Sequence, residues 1–169
     1  MFFSNKIYPT LGVKAPLLPT TESVSIRKAV LYDVNKIMEM AIELHGLSSV
    51  NLSGVAKPKT LNAYKRAIVK AINGDGLVLV AENCNGLLAY IAGRYTPNIW
   101  SDDIVVLLEF GFFGKTKRAS VLLLKEYISQ CKILKASGVI QVYTMGELPG
   151  ISPDYSKLGL QPAERTWVA

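Results

Sequence analysis

The sequence predicts a mixed α/β (α+β) domain: a mostly antiparallel sheet of six to seven strands, one parallel strand, helix, strand crossover, and helices on both faces. Three observations lead there. Short apolar runs with period two are interspersed with longer amphipathic ones of period 3.6. "NCNG" at 83–86 separates two apolar runs as a hairpin turn does, since Asn85 and Gly86 readily take the positive φ such turns require. Finally, "IVVLLEFGFF", "VLLLKEYISQCKILKASG" and "VIQVYTM" follow one another as strand, helix and strand, an order that joins parallel neighbours.

Residues 1–21 contain Pro9, Pro16 and Pro19 and no sustained period, so they read as an N-terminal extension to a domain spanning 22–169. "SVSIRKAV" alternates Val24, Ile26 and Lys28 against Ser25, Arg27 and Ala29, which suits a first strand. In "YDVNKIMEMAIELHG" the residues Val34, Ile37, Met38, Ala41 and Leu44 share a helical face, with Asp33 in the first turn and Gly46 as the stop. "KPKTLNAYKRAIVKAINGDG" repeats the pattern through Leu61, Tyr64, Ile68 and Ile72, ending at Gly74 and Gly76. The hairpin 77–95 and a loop "TPNIWSDD" come next, and then the strand from Ile104 to Phe113, too apolar and β-branched for an edge. The third helix buries Leu124, Tyr127, Ile128, Cys131 and Leu134 and stops at Gly138. After the strand 139–145, the tail predicts a short helical turn, a stop at Gly159 and a last strand around Thr166 to Val168.

A chain of 169 residues buries an ample core as one domain. Its net charge of +6 favours an anionic partner without saying which. Cys84 and Cys131, with a single histidine in the chain, support neither a metal cluster nor a disulfide framework. The first twenty residues lack a long apolar core and a cleavage site, and no run reaches the ~18 apolar residues of a membrane helix. A cytoplasmic protein, without membrane contact, is the expectation.

Between the fourth strand and the third helix lies "GFFGKTKRAS", residues 111–120, with three cations at Lys115, Lys117 and Arg118. A solvated basic turn and an anion-binding loop both account for it. The loop, in this element order, resembles the pyrophosphate loop of the GCN5-related N-acetyltransferase superfamily, whose pattern is Arg or Gln, x, x, Gly, x, Gly or Ala ahead of paired leucines. With Leu123 and Leu124 as that pair, Lys115 takes the Arg/Gln position, Arg118 the first glycine and Ser120 the second. "KTKRASVLLL" is similar to the loop of phage-encoded members. "DYSKLGL" at 154–160 resembles the family's late signature, and "SIRKAVLYDVNKIMEMA" its opening strand and first helix. The resemblance covers residues 23–168.

The resemblance implies acetyl transfer from acetyl-coenzyme A directly to a primary amine of a small molecule or protein. Lys115, Thr116, Lys117, Arg118, Ala119 and Ser120 would receive the pyrophosphate at a helix N-terminus, where backbone N–H groups and the dipole favour anions. The pantetheine arm would pair with the backbone of Phe110, Gly111 and Phe112, and an N–H there would polarise the thioester carbonyl. Gly111 also reads as an ordinary bulge. Glu109, the one acid between Ile104 and Phe113, is the candidate base; it equally suits the polar side of a sheet. Tyr155 matches the family tyrosine that protonates the departing sulfur, and packing is its other reading. No metal is implied, and a homodimer is left open. The alternative class is a binding or virion-associated protein that keeps the fold without catalysis. A nucleic acid partner is not expected, because no stripe of interleaved aromatic and basic residues is found.

Overall fold

The computed structural model describes residues 23–47, 58–98, 101–146 and 154–162. Five strands, β1 (Ser25–Lys28), β2 (Gly76–Asn83), β3 (Gly86–Asn98), β4 (Ser101–Gly114) and β5 (Val142–Thr144), form one sheet in sequential order. The first four are antiparallel; β4 and β5 run parallel. Helices α1 (Val34–Leu47) and α2 (Pro58–Lys70) cover one face, and α3 (Lys117–Ala136) covers the other.

The period-two signal explains this division. On β2, Val78 and Val80 pack with Ile37, Met40 and Ile68 of the first two helices, while Leu77 and Leu79 pack with Leu123, Tyr127 and Cys131 of α3. A sheet covered on both faces reads as nearly continuous apolar sequence, as these strands do. Arg27 ties strand to helix: its guanidinium makes paired bonds to Asp33 (2.7 and 2.9 Å) and to Glu82 (2.9 Å each), and Asp33 also accepts the Val30 N–H at 2.8 Å. This is the physical content of the opening motif. It also moves Asp33 out of α1, into a short turn, Leu31–Asp33, ahead of the helix.

Several boundaries differ from expectation. Five strands replace six to seven among the described residues, and the last anticipated strand, 166–168, lies outside them, as do residues 1–22. Gly46 does not stop α1, which continues to Leu47. The stretch read as the loop "TPNIWSDD" contributes to a long hairpin, because β3 and β4 keep pairing through Thr96↔Val106 and Pro97↔Val105. β5 shrinks to three residues since the amides of Val139 and Ile140 turn back to Leu134 O, and bonding to β4 starts only at Gln141, whose N–H donates to Val105 O. In the β2–β3 turn only Gly86 has positive φ, 117°; Asn85 does not. No helix among the described residues is long and apolar enough to cross a membrane.

Candidate active site

β4 carries the site because its two edges behave differently along its length. Towards β3, Glu109 stands opposite Gly93 and Gly111 opposite Ala92, so Phe110 is an extra residue and the strand bulges there. Towards β5, pairing covers only Val106–Leu108. Beyond the bulge the register is set by Lys115 N–H donating to Leu88 O at 2.8 Å. In an antiparallel ladder alternate residues face the partner, so the backbone groups of Phe112 and Gly114 turn away from β3, toward the side that β5 has left. Among the described residues no strand pairs with β4 on that side beyond Leu108, so the edge from Glu109 to Gly114 forms one wall of a candidate wedge with Glu109 at its apex.

Both sequence-predicted catalytic residues meet at that apex. Glu109 Oε2 accepts the Gly146 N–H at 2.8 Å, and Tyr155 Oη donates to Gly146 O at 3.1 Å. One glycine just after β5 therefore joins a carboxylate and a phenol that are 46 positions apart in the chain. Burial pushes the Glu109 carboxyl up to about 7, against the opposing backbone hydrogen bonds from Gly146 and Gly111. Tyr155 opens a helical turn, Tyr155–Leu158, capped by Asp154 Oδ1 on Ser156 N–H and closed by Gly159 in the left-handed region.

Phe110, Gly111 and Phe112 lie where the strand passes from bulge to open edge. Phe110 and the bare face of Gly111 both turn to the α1/α2 side, and Phe112 packs on the α3 side. Over Gly111 sits Tyr64 of α2, its hydroxyl 3.0 Å from that of Tyr90 and its ring edge-on to Phe110 with centroids 5.7 Å apart. Burial raises the Tyr64 phenol to about 12 and the Tyr90 phenol further, so both hold their protons.

The basic loop is shorter than the sequence suggested. Only Lys115 and Thr116 are loop, and α3 begins at Lys117, since Thr116 is its N-cap. Thr116 Oγ1 accepts the Ala119 N–H at 3.2 Å, and Thr116 O accepts both the Ser120 N–H and its hydroxyl. The first-turn amides of Lys117 and Arg118 have no partner within the helix by its geometry. Around them Lys115, Lys117 and Arg118 are exposed, no acid lies in the first turn, and none of the three joins an ion pair among the described residues. Buried Ala119 seats the turn against α3's core, and Ser120 packs on Gly114, where a Cβ would come within 2.0 Å of the serine hydroxyl. Two amides and three exposed cations thus gather at the start of α3, an arrangement whose chemistry suits an anion.

Sequence reasoning did not mark Gly146 or Tyr64 as site residues. Tyr64 had one signal, its place on the buried stripe of α2; nothing around Gly146 announces that two distant side chains share it.

No family model and no curated protein matches the sequence. Solved structures do. An aminoglycoside N-acetyltransferase in complex with coenzyme A is 13% identical, with TM-score 0.62 over 90% of this chain and 97% of that one. A predicted acetyltransferase from Clostridium acetobutylicum, solved with acetyl-CoA, is 14% identical with TM-score 0.61 over 87% and 95%. Glucosamine-6-phosphate N-acetyltransferase from Arabidopsis thaliana is 14% identical with TM-score 0.61 over 88% and 98%. The chain has the GCN5-related N-acetyltransferase fold, as the element order and motifs suggested.

Proposed function

We propose that the protein is an acyl-coenzyme A dependent N-acetyltransferase that moves an acetyl group from acetyl-coenzyme A directly to a primary amine. The observation that supports this most is the wedge: a β4 edge, unshared among the described residues, that runs from a carboxylate to a basic, amide-lined helix N-terminus. The helix start fits a pyrophosphate and the edge fits an amide-bearing arm. Lys115, Lys117 and Arg118 neutralise the phosphates while the Lys117 and Arg118 amides donate to them. The backbone groups of Phe112 and Gly114 would pair with the arm as a neighbouring strand does, which extends the expected Phe110–Phe112 contact toward the helix.

At the apex, Glu109 takes a proton from the incoming ammonium, for which a carboxyl near 7 is well matched at neutral pH. The amine nitrogen then bonds to the thioester carbonyl carbon and gives up its second proton to solvent, the C–S bond breaks, and the sulfur leaves with the electron pair. Tyr155 shifts its proton from Gly146 O to that thiolate, and Glu109's proton returns through solvent to restore the phenol. The names of the structural neighbours make amine-bearing sugars the first acceptors to screen.

The test is calorimetric titration of acetyl-coenzyme A into the wild-type protein and the triple variant Lys115→Ala, Lys117→Ala, Arg118→Ala. Micromolar binding, lost by at least ~tenfold in the triple variant and weakened by salt, is the expected result. No binding to the folded wild type rejects the reading. Binding without turnover across an amine panel favours a protein that keeps the cofactor site and not the catalysis.

A further inference from the structure

The antiparallel register sets Gly93 of β3 opposite Glu109 of β4, so the two share one face of the sheet. It is the α3 face, since Leu107, two positions before Glu109, packs in the cluster of Leu123 and Tyr127. Gly93 has no side chain, and another element fills the space across from Glu109. A Cβ added to Gly93 would overlap the Tyr127 hydroxyl and come within 2.9 Å of Leu107 Cδ1. Cross-strand Cβ positions lie about 5 Å apart, so the phenol oxygen of α3 stands beside Glu109 where a β3 side chain would otherwise be.

Tyr127 is wholly buried, and its hydroxyl has no hydrogen-bond partner among the described residues. Buried polar groups are ordinarily paired, so a lone phenol in this place calls for an acceptor. Glu109 supplies one on ionising: Oε2 takes the Gly146 N–H at 2.8 Å, and a carboxylate has further lone pairs to offer. The other hydroxyls around it are committed, Tyr64 and Tyr90 to each other and Tyr155 to Gly146 O. Tyr95, Tyr143 and Cys131, in the α3-side cluster, are all raised by burial and bring no charge at neutral pH. No charged side chain among the described residues sets the Glu109 carboxyl, which answers to burial and to the Gly146 and Gly111 amides. Tyr127 itself keeps its proton, because burial raises its phenol and neighbouring Cys131 and Glu109 add to the rise. It is a donor throughout the range in which Glu109 titrates.

We propose that Tyr127 is a positioning residue for the base: its hydroxyl donates to the Glu109 carboxylate when that group ionises, anchoring it to α3 and stabilising the form that accepts the amine's proton. The role rests on the acyltransferase reading above, and its test does not. Carbon-13 NMR of the Glu109 carboxyl, assigned with Glu109→Gln, is followed against pH in the protein without coenzyme A. A donor to the ionised form lowers its pKa, so Tyr127→Phe raises the Glu109 midpoint by at least ~0.5 pH unit. In wild type the Tyr127 Cζ resonance moves with the Glu109 midpoint and loses that step in Glu109→Gln, a reading that needs no Tyr127 variant to fold. In turnover, the acid limb of kcat/KM moves up with the midpoint in Tyr127→Phe. An unchanged or lower midpoint in folded Tyr127→Phe overturns the proposal, as does a Tyr127 Cζ resonance that ignores Glu109. Failure of acetyl-coenzyme A to bind wild type in calorimetry overturns the acyltransferase reading, and with it the role of base, even where both titrations show the bond.

Discussion

Replacing Glu109 by glutamine separates the stability of the apex from its chemistry. The carboxyl is raised from 4.5 to about 7 chiefly by burial, so the folded state holds this proton more tightly than the unfolded one. The sign follows directly. Below about pH 4.5 the group is protonated in both states and has no effect; as pH climbs to 7 and beyond, ionisation in the buried site progressively costs folded-state stability. At ~1.4 kcal/mol per pH unit the full gap is ~3.5 kcal/mol, and solvent screening of this half-buried group reduces it to roughly 1–2 kcal/mol. Glutamine cannot ionise, so the stability of Glu109→Gln relative to wild type must rise by that amount between pH 5 and pH 8, whatever constant offset the amide introduces at the Gly146 contact. For a chain of this size that is a relative Tm shift of roughly 3–6 °C. Thermal melts at pH 5, 6, 7 and 8 measure it. A difference that stays flat with pH, or that moves the other way, refutes the burial argument. In a turnover assay the wild-type rate rises with pH through about 7, and the glutamine variant loses both that rise and ~10²–10⁴-fold in rate.

The other expectations concern the frame that holds the wedge. Asp33→Ala removes the paired bonds to Arg27 and the acceptor for Val30 N–H, and destabilises by about 2–3 kcal/mol in urea unfolding at pH 7. Its carboxyl is held below the usual range by Arg27, so wild type keeps this contribution above about pH 4 and loses it as pH falls through the lowered value; the variant's melts show a smaller acid loss. Gly111→Ala forces a methyl onto the Tyr64 hydroxyl and lowers stability by about 1–3 kcal/mol, with acetyl-coenzyme A affinity falling as well; unchanged melting and unchanged affinity refute the close approach.

Much of the candidate site was legible because its determinants are local. The order of elements, the cations at 115, 117 and 118, and the small residues Ala119 and Ser120 follow from side-chain period and composition in short windows. Tyr155 and Glu109 were singled out through motif and isolation, since one acid in a ten-residue apolar run stands out. Strand ends were less legible: β3 and β4 pair through Thr96, Pro97 and Asn98, where the side-chain pattern suggests a loop, because ladder bonds belong to the backbone. The N-cap at Thr116 was hidden for the opposite reason, its role depending on a hydroxyl that reaches an amide three residues on.

The sequence by itself determined the layered α/β architecture, the basic helix start and the presence of a lone acid on the central strand, since each depends on residues within a turn or two of one another. Only the tertiary structure decided that β5 parts from β4 after Leu108, that Glu109 and Tyr155 share Gly146, and that Tyr64 covers Gly111. Those contacts join residues 9 to 47 positions apart, across elements whose relative placement arises from packing two helical layers on one twisted sheet. No local pattern encodes that placement.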